Sequence, residues 1–219
     1  MIHLYTSATP NGWKATVTLE ELNVPYEVHV VDLSAGEQHS VDFLKLNPNG
    51  RIPVIQDDEE GVTIFESGAL MLYLSSKYKR LVPIDTHLYW KCVQWLMFQM
   101  GGIGPMQGQA VVFERYFPKD VPDAKSRYKN ETRRLYEVLD KRLGEEEYLA
   151  GEYSIADIAN WCWVKTHRWA RVPVDGLENL RRWIDVIAER PAVKRGLGIP
   201  PPAGTASKQV LMGSSITSE

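Results

Sequence analysis

The pattern of apolar residues changes once along this chain, and that change limits the possible folds more than any other feature of the sequence. Before about residue 80, short runs rich in β-branched residues alternate with helical patterns, whereas only helical spacing recurs later. We therefore place a linker at residues 80–86 and predict an α/β domain over 1–80 and an all-helical domain over 87–200. Residues 201–219 are rich in Pro, Gly and Ser, so we expect a disordered tail there.

The first domain is predicted to have the element order β-α-β-α-β-β-α. Strands are expected at 2–6, 26–31, 53–55 and 62–65, and helices at 10–23, at 41–46 and from Glu66-Ser67 onward. In the second domain, three sets of residues recur at helical spacing and predict core-facing helices. These sets are Tyr128, Thr132, Leu135, Leu139 and Leu143; Ile155, Ile158, Ala159 and Cys162; and Leu177, Leu180, Ile184 and Ile187.

Composition argues against several classes of function. The formal net charge is −3 with charges of both signs interspersed, which is not the basic surface that nucleic-acid binding requires. No window approaches the roughly 18 apolar residues of a membrane span, and the start lacks a signal-peptide pattern, so we expect a cytoplasmic protein. Only Cys92 and Cys162 occur, without metal-ligand spacing, so we expect neither a disulfide framework nor a metal site. Any thiol chemistry would then use a sulfur that the protein does not supply.

The segment Thr9-Pro10-Asn11-Gly12 lies between the first predicted strand and the first predicted helix. Unpaired backbone N–H groups and the helix dipole favour a bound anion at such a junction, and a thiolate is one such anion. Thr9 offers a hydroxyl donor and Asn11 an amide donor. The alternative is that Thr9 or Asn11 only caps the helix.

Two further segments offer groups that could hold a peptide. If the Ile52-Pro53 bond is cis, Ile52 presents its backbone N–H and C=O to an extended peptide, although trans is the commoner form. Glu66-Ser67, at a helix start, offers a carboxylate for an ammonium group and a hydroxyl for a carboxylate, or it is only a capping pair. In a β-α-β-α-β-β-α layer these segments and the first helix start share one face, which describes a tripeptide receptor with a thiolate pocket.

These segments resemble the glutathione S-transferase superfamily, over roughly residues 1–195. Its glutathione domain carries the same cis-Pro and Glu-Ser elements, and Ser154 and Asp157 look like the capping box of its second domain. Residues 8–14 and 94–106 are similar to the nu-class bacterial disulfide-bond oxidoreductases and to the fungal nitrogen-regulation-prion-like glutathione transferases. The resemblance implies a thioredoxin-like amino-terminal domain, an all-α carboxy-terminal domain, and glutathione as the bound substrate.

The resemblance also implies roles for individual residues. Thr9 and Asn11 would hold the glutathione sulfur, where other classes of the superfamily have Tyr, Ser or Cys. The remaining contacts to glutathione would come from Gln38, Ile52, Glu66, Ser67 and Arg127, the last in its own or a partner subunit's site. A second-substrate pocket would include Gln99 and Phe113, and the run Ala110-Val111-Val112-Phe113 would make it more apolar than in many relatives.

We therefore expect glutathione-dependent disulfide reduction, with possible conjugation of glutathione to electrophiles, by a homodimer that needs no metal. The alternative is a non-catalytic module that binds glutathione or another ligand. Turnover of a small disulfide with glutathione would separate the two.

Overall fold

The computed structural model describes residues 1–201, which form two compact units. One contains residues 1–80 and the described residues from Pro191 onward, and the other contains Leu81–Arg190. The predicted tail at 201–219 lies, apart from Pro201, outside the described residues. In the described part of the chain, no helix combines the length and the apolar character needed to cross a membrane.

The first unit contains a four-stranded mixed sheet in the order β2-β1-β3-β4. β1 pairs parallel with β2, whereas β3 pairs antiparallel with both β1 and β4. The elements are β1 (Ile2–Thr6), α1 (Pro10–Leu22), β2 (Tyr26–Val30), α2 (Val41–Leu46), β3 (Val54–Asp57), β4 (Val62–Phe65) and α3 (Ser67–Tyr78), with a 3₁₀ turn at Glu37–His39. The predicted β-α-β-α-β-β-α order is confirmed.

The two faces of β1 differ, as strand alternation requires. Ile2 and Leu4 point to a fully buried face, whereas His3 and Tyr5 lie on the opposite face and are half-buried. Tyr5 packs there against a small cluster that includes Phe43 of α2. The alternation of apolar and polar residues therefore leaves one part of the sheet surface polar.

Helix α3 is tied to the sheet through Asp57, the last residue of β3. Its buried carboxylate accepts hydrogen bonds from Tyr73 and Lys77 of α3. Burial alone would raise the pKa of Asp57, but these donors and the Glu59 N–H outweigh that effect and lower it. The ionised pair fixes α3, and with it the helix start at Ser67.

The last described helix, α9 (Pro191–Leu197), packs on α1 within the first unit. A Cβ at Gly196 would lie 2.8 Å from the Cα and N atoms of Val17, so only glycine permits this approach. Thr16 donates a hydrogen bond to the Gly196 carbonyl at 2.7 Å. The sequence predicted one helical domain over residues 87–200. In the structure, α9 instead packs on α1 and belongs to the first unit.

The second unit is helical throughout its regular elements. It contains α4 (Thr86–Phe98), α5 (Gly104–Val111), α6 (Pro122–Glu145), α7 (Ile155–Val164) and α8 (Glu178–Ala188), with π-helical turns at Gln99–Ile103 and Val112–Tyr116 and a 3₁₀ turn at His167–Ala170. Helix α4 packs on α7, and α6 packs on α5 and α8. The all-helical prediction is confirmed, and the Gly101–Gly104 cluster falls in and beside a π-helical turn.

The start of α7 is held by the predicted capping box. The Asp157 carboxylate accepts from the Ser154 N–H at 3.0 Å and from the Ser154 hydroxyl at 3.1 Å. It also accepts from the Leu149 N–H and from the Trp183 indole. Complete burial raises the pKa of Asp157 to about 6 although these donors oppose the rise. One carboxylate therefore connects α7, α8 and the segment before α7.

Candidate functional site

The start of α1 is shaped by Thr9, which is its N-cap residue. The Thr9 hydroxyl accepts a hydrogen bond from the Gly12 N–H at 3.2 Å, and the Thr9 N–H donates to the Ser7 carbonyl at 2.8 Å. A hydroxyl that accepts one bond still carries a hydrogen of its own. Capping the helix and donating to a bound sulfur are therefore compatible roles of the same oxygen.

Gly12 lets the first turn of α1 lie directly against the end of β1. A Cβ at this position would be 2.0 Å from the Ser7 carbonyl oxygen and 2.6 Å from the Thr6 hydroxyl. Asn11, one residue earlier, is half-buried in the same turn. The sequence thus places Thr9 and Asn11 on a turn whose position is fixed by close backbone packing, where the dipole favours an anion.

The loop that leads to Ile52 is organised by the buried side chain of Asn47. Its Nδ2 donates to the Arg51 carbonyl at 2.6 Å, and its Oδ1 accepts from the Asn49 N–H at 2.9 Å. The Ile52-Pro53 peptide bond is cis, and the half-buried Ile52 packs on the cluster that contains Phe43. The backbone of Ile52 lies just before β3, which begins at Val54.

Glu66 holds a backbone conformation that non-glycine residues rarely adopt. Its φ is 71° and its ψ 115°, and its exposed side chain makes no capping hydrogen bond to α3. Such a conformation costs on the order of 1–3 kcal/mol and is found most often at binding or active sites. The strain supports a functional role for this helix start over simple capping.

Lys14 is a residue that the sequence reasoning missed. It lies on α1, is only 2% exposed, and its Nζ donates to the Ser67 hydroxyl at 3.3 Å. A buried lysine beside the start of α3 supplies a hydrogen-bond donor where that helix already favours an anion. One feature of the sequence could have identified it. Lys14 is the only charged residue between Pro10 and Leu19, a segment predicted to form a helix, and such a position is unusual for a charged side chain.

Gln38 is buried in the 3₁₀ turn that precedes α2. Its Oε1 has no hydrogen-bond partner among the described residues. A buried acceptor in this state costs free energy, which a ligand N–H would recover. Glutathione has two amide N–H groups and an ammonium, so the residue fits the predicted ligand.

The other predicted site residues belong to the second unit. Arg127 is exposed on the second turn of α6, and Phe113 lies in the second π-helical turn with its ring stacked on Tyr128 at 5.5 Å. Gln99 is fully buried, and a Cβ at Gly104 would lie 2.7 Å from its Nε2. Phe113 therefore contacts α6 at the residue after Arg127, whereas Gln99 is part of the interior of the helical unit.

Both cysteines are buried in the helical unit and form no disulfide. Burial raises the pKa of the Cys92 thiol, which opposes thiolate formation. Neither side chain offers an accessible nucleophile, so thiol chemistry at this site would use a sulfur that the protein does not supply.

Comparison with known proteins assigns the family. Residues 1–76 match the family described as "Glutathione S-transferase, N-terminal domain", and residues 107–191 match "Glutathione S-transferase, C-terminal domain". The disulfide-bond oxidoreductase YfcG of Escherichia coli is 42% identical over 203 residues, which cover 90% of this chain and 94% of YfcG. The chain belongs to the glutathione S-transferase superfamily.

Two solved structures of glutathione transferases are similar to this chain in both fold and sequence. A glutathione transferase from Pseudomonas putida with one glutathione disulfide bound per subunit has a TM-score of 0.87 and 42% identity, and covers 91% of each chain. The transferase URE2P6 from Phanerochaete chrysosporium, in complex with oxidized glutathione, has a TM-score of 0.84 and 37% identity over 89% of this chain and 94% of that one. The predicted resemblance to bacterial disulfide-bond oxidoreductases and their fungal relatives is confirmed.

Proposed function

We propose that this glutathione S-transferase is a glutathione-dependent disulfide-bond oxidoreductase in which the thiol of bound glutathione is the redox group. The observation that carries the proposal is the start of α1, where Thr9 caps the helix and retains a hydroxyl hydrogen, in a chain whose two cysteines are buried. The name of YfcG and the glutathione disulfide bound to the P. putida relative support the same reaction.

The first unit contains complementary groups for each part of glutathione. The γ-glutamyl carboxylate would lie at the start of α3 against Ser67 and the Lys14 ammonium, with its own ammonium near Glu66. The backbone of Ile52 and the side chain of Gln38 would hold the peptide groups. The thiol would then reach Thr9 and Asn11, and Arg127 of the same or a partner subunit would add a further contact.

The reaction begins when the thiol of bound glutathione loses its proton. A free cysteine thiol has a pKa of about 8.5, and the dipole of α1 with the donors of Thr9 and Asn11 would lower it for bound glutathione. The thiolate attacks one sulfur of a disulfide, a mixed disulfide with glutathione forms, and the other sulfur leaves as a thiolate that takes up a proton. A second glutathione thiolate attacks the mixed disulfide, which releases glutathione disulfide and the second reduced thiol.

Conjugation to an electrophile would use the same activated sulfur. Phe113 and the neighbouring apolar residues are the candidates for the second-substrate pocket, whereas Gln99, which the sequence also suggested, is fully buried. Phe113 stacks on Tyr128 and is half-buried, so an aromatic surface is available for an apolar substrate. We propose this as a weaker side activity.

We further propose a homodimer in the cytoplasm. Trp90 and Met97 of α4 lie seven residues apart on one helix face and are 57% and 45% exposed, an arrangement that association would cover. The cytoplasm is proposed because the reaction consumes reduced glutathione, which keeps thiols reduced in that compartment.

The test is steady-state reduction of hydroxyethyl disulfide by glutathione, followed through glutathione reductase and NADPH. We expect turnover that is proportional to protein concentration and saturates with glutathione. Binding of glutathione measured by calorimetry, without turnover of disulfides or of an aromatic electrophile, would instead identify a non-catalytic binding module.

A further inference from the structure

A second group of polar side chains lies on the outer face of the sheet, at the start of β1. His3 of β1 is paired in register with Glu27 of the parallel strand β2, and Tyr5 is paired with His29. Residues two apart on a strand share a face, so His3, Glu27 and His29 project on the same side. The active-site turn follows the opposite end of β1, after Thr6.

The ligand atoms of this group are spaced as a metal ion requires. His3 Nδ1 is 3.1 Å from His29 Nε2 and 3.5 Å from a Glu27 oxygen, and His29 Nε2 is 3.7 Å from the other Glu27 oxygen. Zinc binds imidazole nitrogen and carboxylate oxygen at about 2.0–2.2 Å, so the edges of a tetrahedron around it are about 3.3–3.6 Å long. The three separations between ligand atoms, 3.1, 3.5 and 3.7 Å, span this range of edge lengths.

Neighbouring side chains orient both imidazoles. The Nε2 of His3 is 2.9 Å from an Asp58 oxygen. When Nε2 carries the proton and donates it to that oxygen, Nδ1 is unprotonated and its lone pair is directed at Glu27 and His29. Carboxylates in this position behind a histidine are a recurrent feature of metal sites. The ring of Tyr5 stacks on His29 at 4.6 Å, and the Tyr5 hydroxyl is fixed by a hydrogen bond to Gln56.

Charge and exposure also favour a cation. Glu27 and Asp58 contribute two negative charges, which a divalent ion would balance. The side chains of His3 and His29 are 23% and 34% exposed, so the ion would lie at the surface with a coordination position open to water. The alternative is a histidine pair with three ion-pair contacts to Glu27 and Asp58, an arrangement that would not favour binding of a metal ion over binding of a proton.

We propose that His3, Glu27 and His29 form a zinc-binding site, with water as the fourth ligand and Asp58 supporting His3. The ligands come from two strands and the support from the residue after a third, so the ion would connect the edge strand β2 to β1 and β3. The sequence predicted no metal site because His3 is far from Glu27 and His29 in the chain, and only the pairing of β1 with β2 brings it beside them. The proposal is independent of the proposed oxidoreductase function.

The test is titration of the tag-free, EDTA-treated full chain with Zn²⁺, in the absence of glutathione, against a chromogenic chelator. We expect one tightly bound equivalent, and a melting temperature raised by about 5–10 °C when free zinc is about a hundredfold above its dissociation constant. His3→Ala and His29→Ala should each abolish that equivalent. Asp58→Asn should weaken it about 10- to 100-fold.

His87→Ala is the matched control, because His87 is an exposed histidine outside the cluster, and it should bind zinc as the unmodified protein does. Circular dichroism and disulfide turnover of His29→Ala should be unchanged, which separates loss of metal from loss of fold. Absence of a tight equivalent in the unmodified protein would overturn the proposal. So would binding that is lost in His3→Ala but kept in His29→Ala, since that result would assign the metal to His3 and its local backbone alone.

Discussion

The Thr9 hydroxyl accepts the capping hydrogen bond of α1 and would donate a separate hydrogen bond to the glutathione sulfur. Measurements of helix stability and of turnover can therefore distinguish the two roles. Thr9→Ala removes both the capping acceptor and the donor, whereas Thr9→Ser keeps both. We expect Thr9→Ala and Asn11→Ala to lower turnover at saturating glutathione about ten- to a hundredfold. The reason is that losing one donor to a partly desolvated anion costs about 1.5–3 kcal/mol.

The control for this prediction is Thr9→Ser, which should retain most of the turnover. The pH at half-maximal rate should move upward in the two alanine variants, because a less stabilised thiolate forms at higher pH. If Thr9 only caps α1, Thr9→Ala should lose about 0.5–2 kcal/mol of stability with little change in rate. Unchanged turnover and pH profile in both folded alanine variants would assign the sulfur contact to backbone N–H groups.

Lys14 and Ser67 form a pair at the proposed γ-glutamyl end, remote from the sulfur. We expect Lys14→Met to raise the KM for glutathione about tenfold or more with kcat nearly unchanged, because binding that is equal in ground and transition states affects KM alone. Ser67→Ala should do the same. The double variant should raise the KM for glutathione by less than the product of the two single increases, since each substitution removes the other residue's hydrogen-bond partner. Strictly additive effects in steady-state kinetics would contradict a shared role.

Among the elements, the first turn of α1 depends on the missing side chain of Gly12. Gly12→Ala would place a Cβ against the Ser7 carbonyl, which is backbone and cannot rotate away. We expect a loss of about 3 kcal/mol or more in the free energy of unfolding, at the upper end for overpacking. Gly101→Ala is the control, because nothing lies within 4 Å of its Cβ, and it should change stability by less than about 1 kcal/mol. Urea denaturation measures both, and equal effects would refute the packing argument.

The capping box of α7 gives this element a defined pH dependence. An unfolded aspartate titrates near pH 4, whereas burial raises the pKa of Asp157 to about 6 in the folded chain. The unfolded state therefore loses its proton first as the pH rises. The contribution of this titration to stability is fully present below about pH 4 and is lost as the pH rises through about 6.

The comparison of the unmodified protein with Asp157→Asn isolates this effect from the other carboxylates. At pH 4.5 the variant should be less stable by about 1–3 kcal/mol, because an amide nitrogen, unlike either oxygen of a carboxyl group, cannot accept the hydrogen bond from the Ser154 N–H. That deficit should shrink toward pH 7 in urea denaturation curves. A deficit that stays constant with pH would mean that Asp157 titrates alike in both states.

For the molecule as a whole, the exposed apolar residues of α4 bear on association. We expect a dimer at micromolar concentration in sedimentation velocity, and we expect Trp90→Glu to shift it toward monomer because a charge would be buried in the contact. Lys91→Glu is the control on the same helix, at an exposed position that already carries a charge. A monomeric unmodified protein, or equal behaviour of the two variants, would count against the dimer.

Periodicity and turn residues were sufficient to predict the element order, since strands such as Ile2–Thr6 and helices such as α6 follow local patterns. They did not predict that α9 packs on α1, because that contact depends on the close approach of Gly196 to Thr16 and Val17, far away in the chain. In the site, Thr9 and Ser67 at the starts of α1 and α3 were visible from the sequence. The Lys14 contact to Ser67 was not, because a burial of this kind depends on tertiary packing.

Complete burial of Cys92 and Cys162 has a consequence for the durability of the protein under peroxide stress. A cysteine that belongs to an active site and is oxidised to the sulfinic acid stage is lost for the lifetime of that polypeptide in most proteins. Here the sulfur exposed to oxidants would belong to a small molecule that leaves the site in every cycle. An over-oxidised tripeptide would be exchanged by diffusion, and the polypeptide would lose no catalytic group.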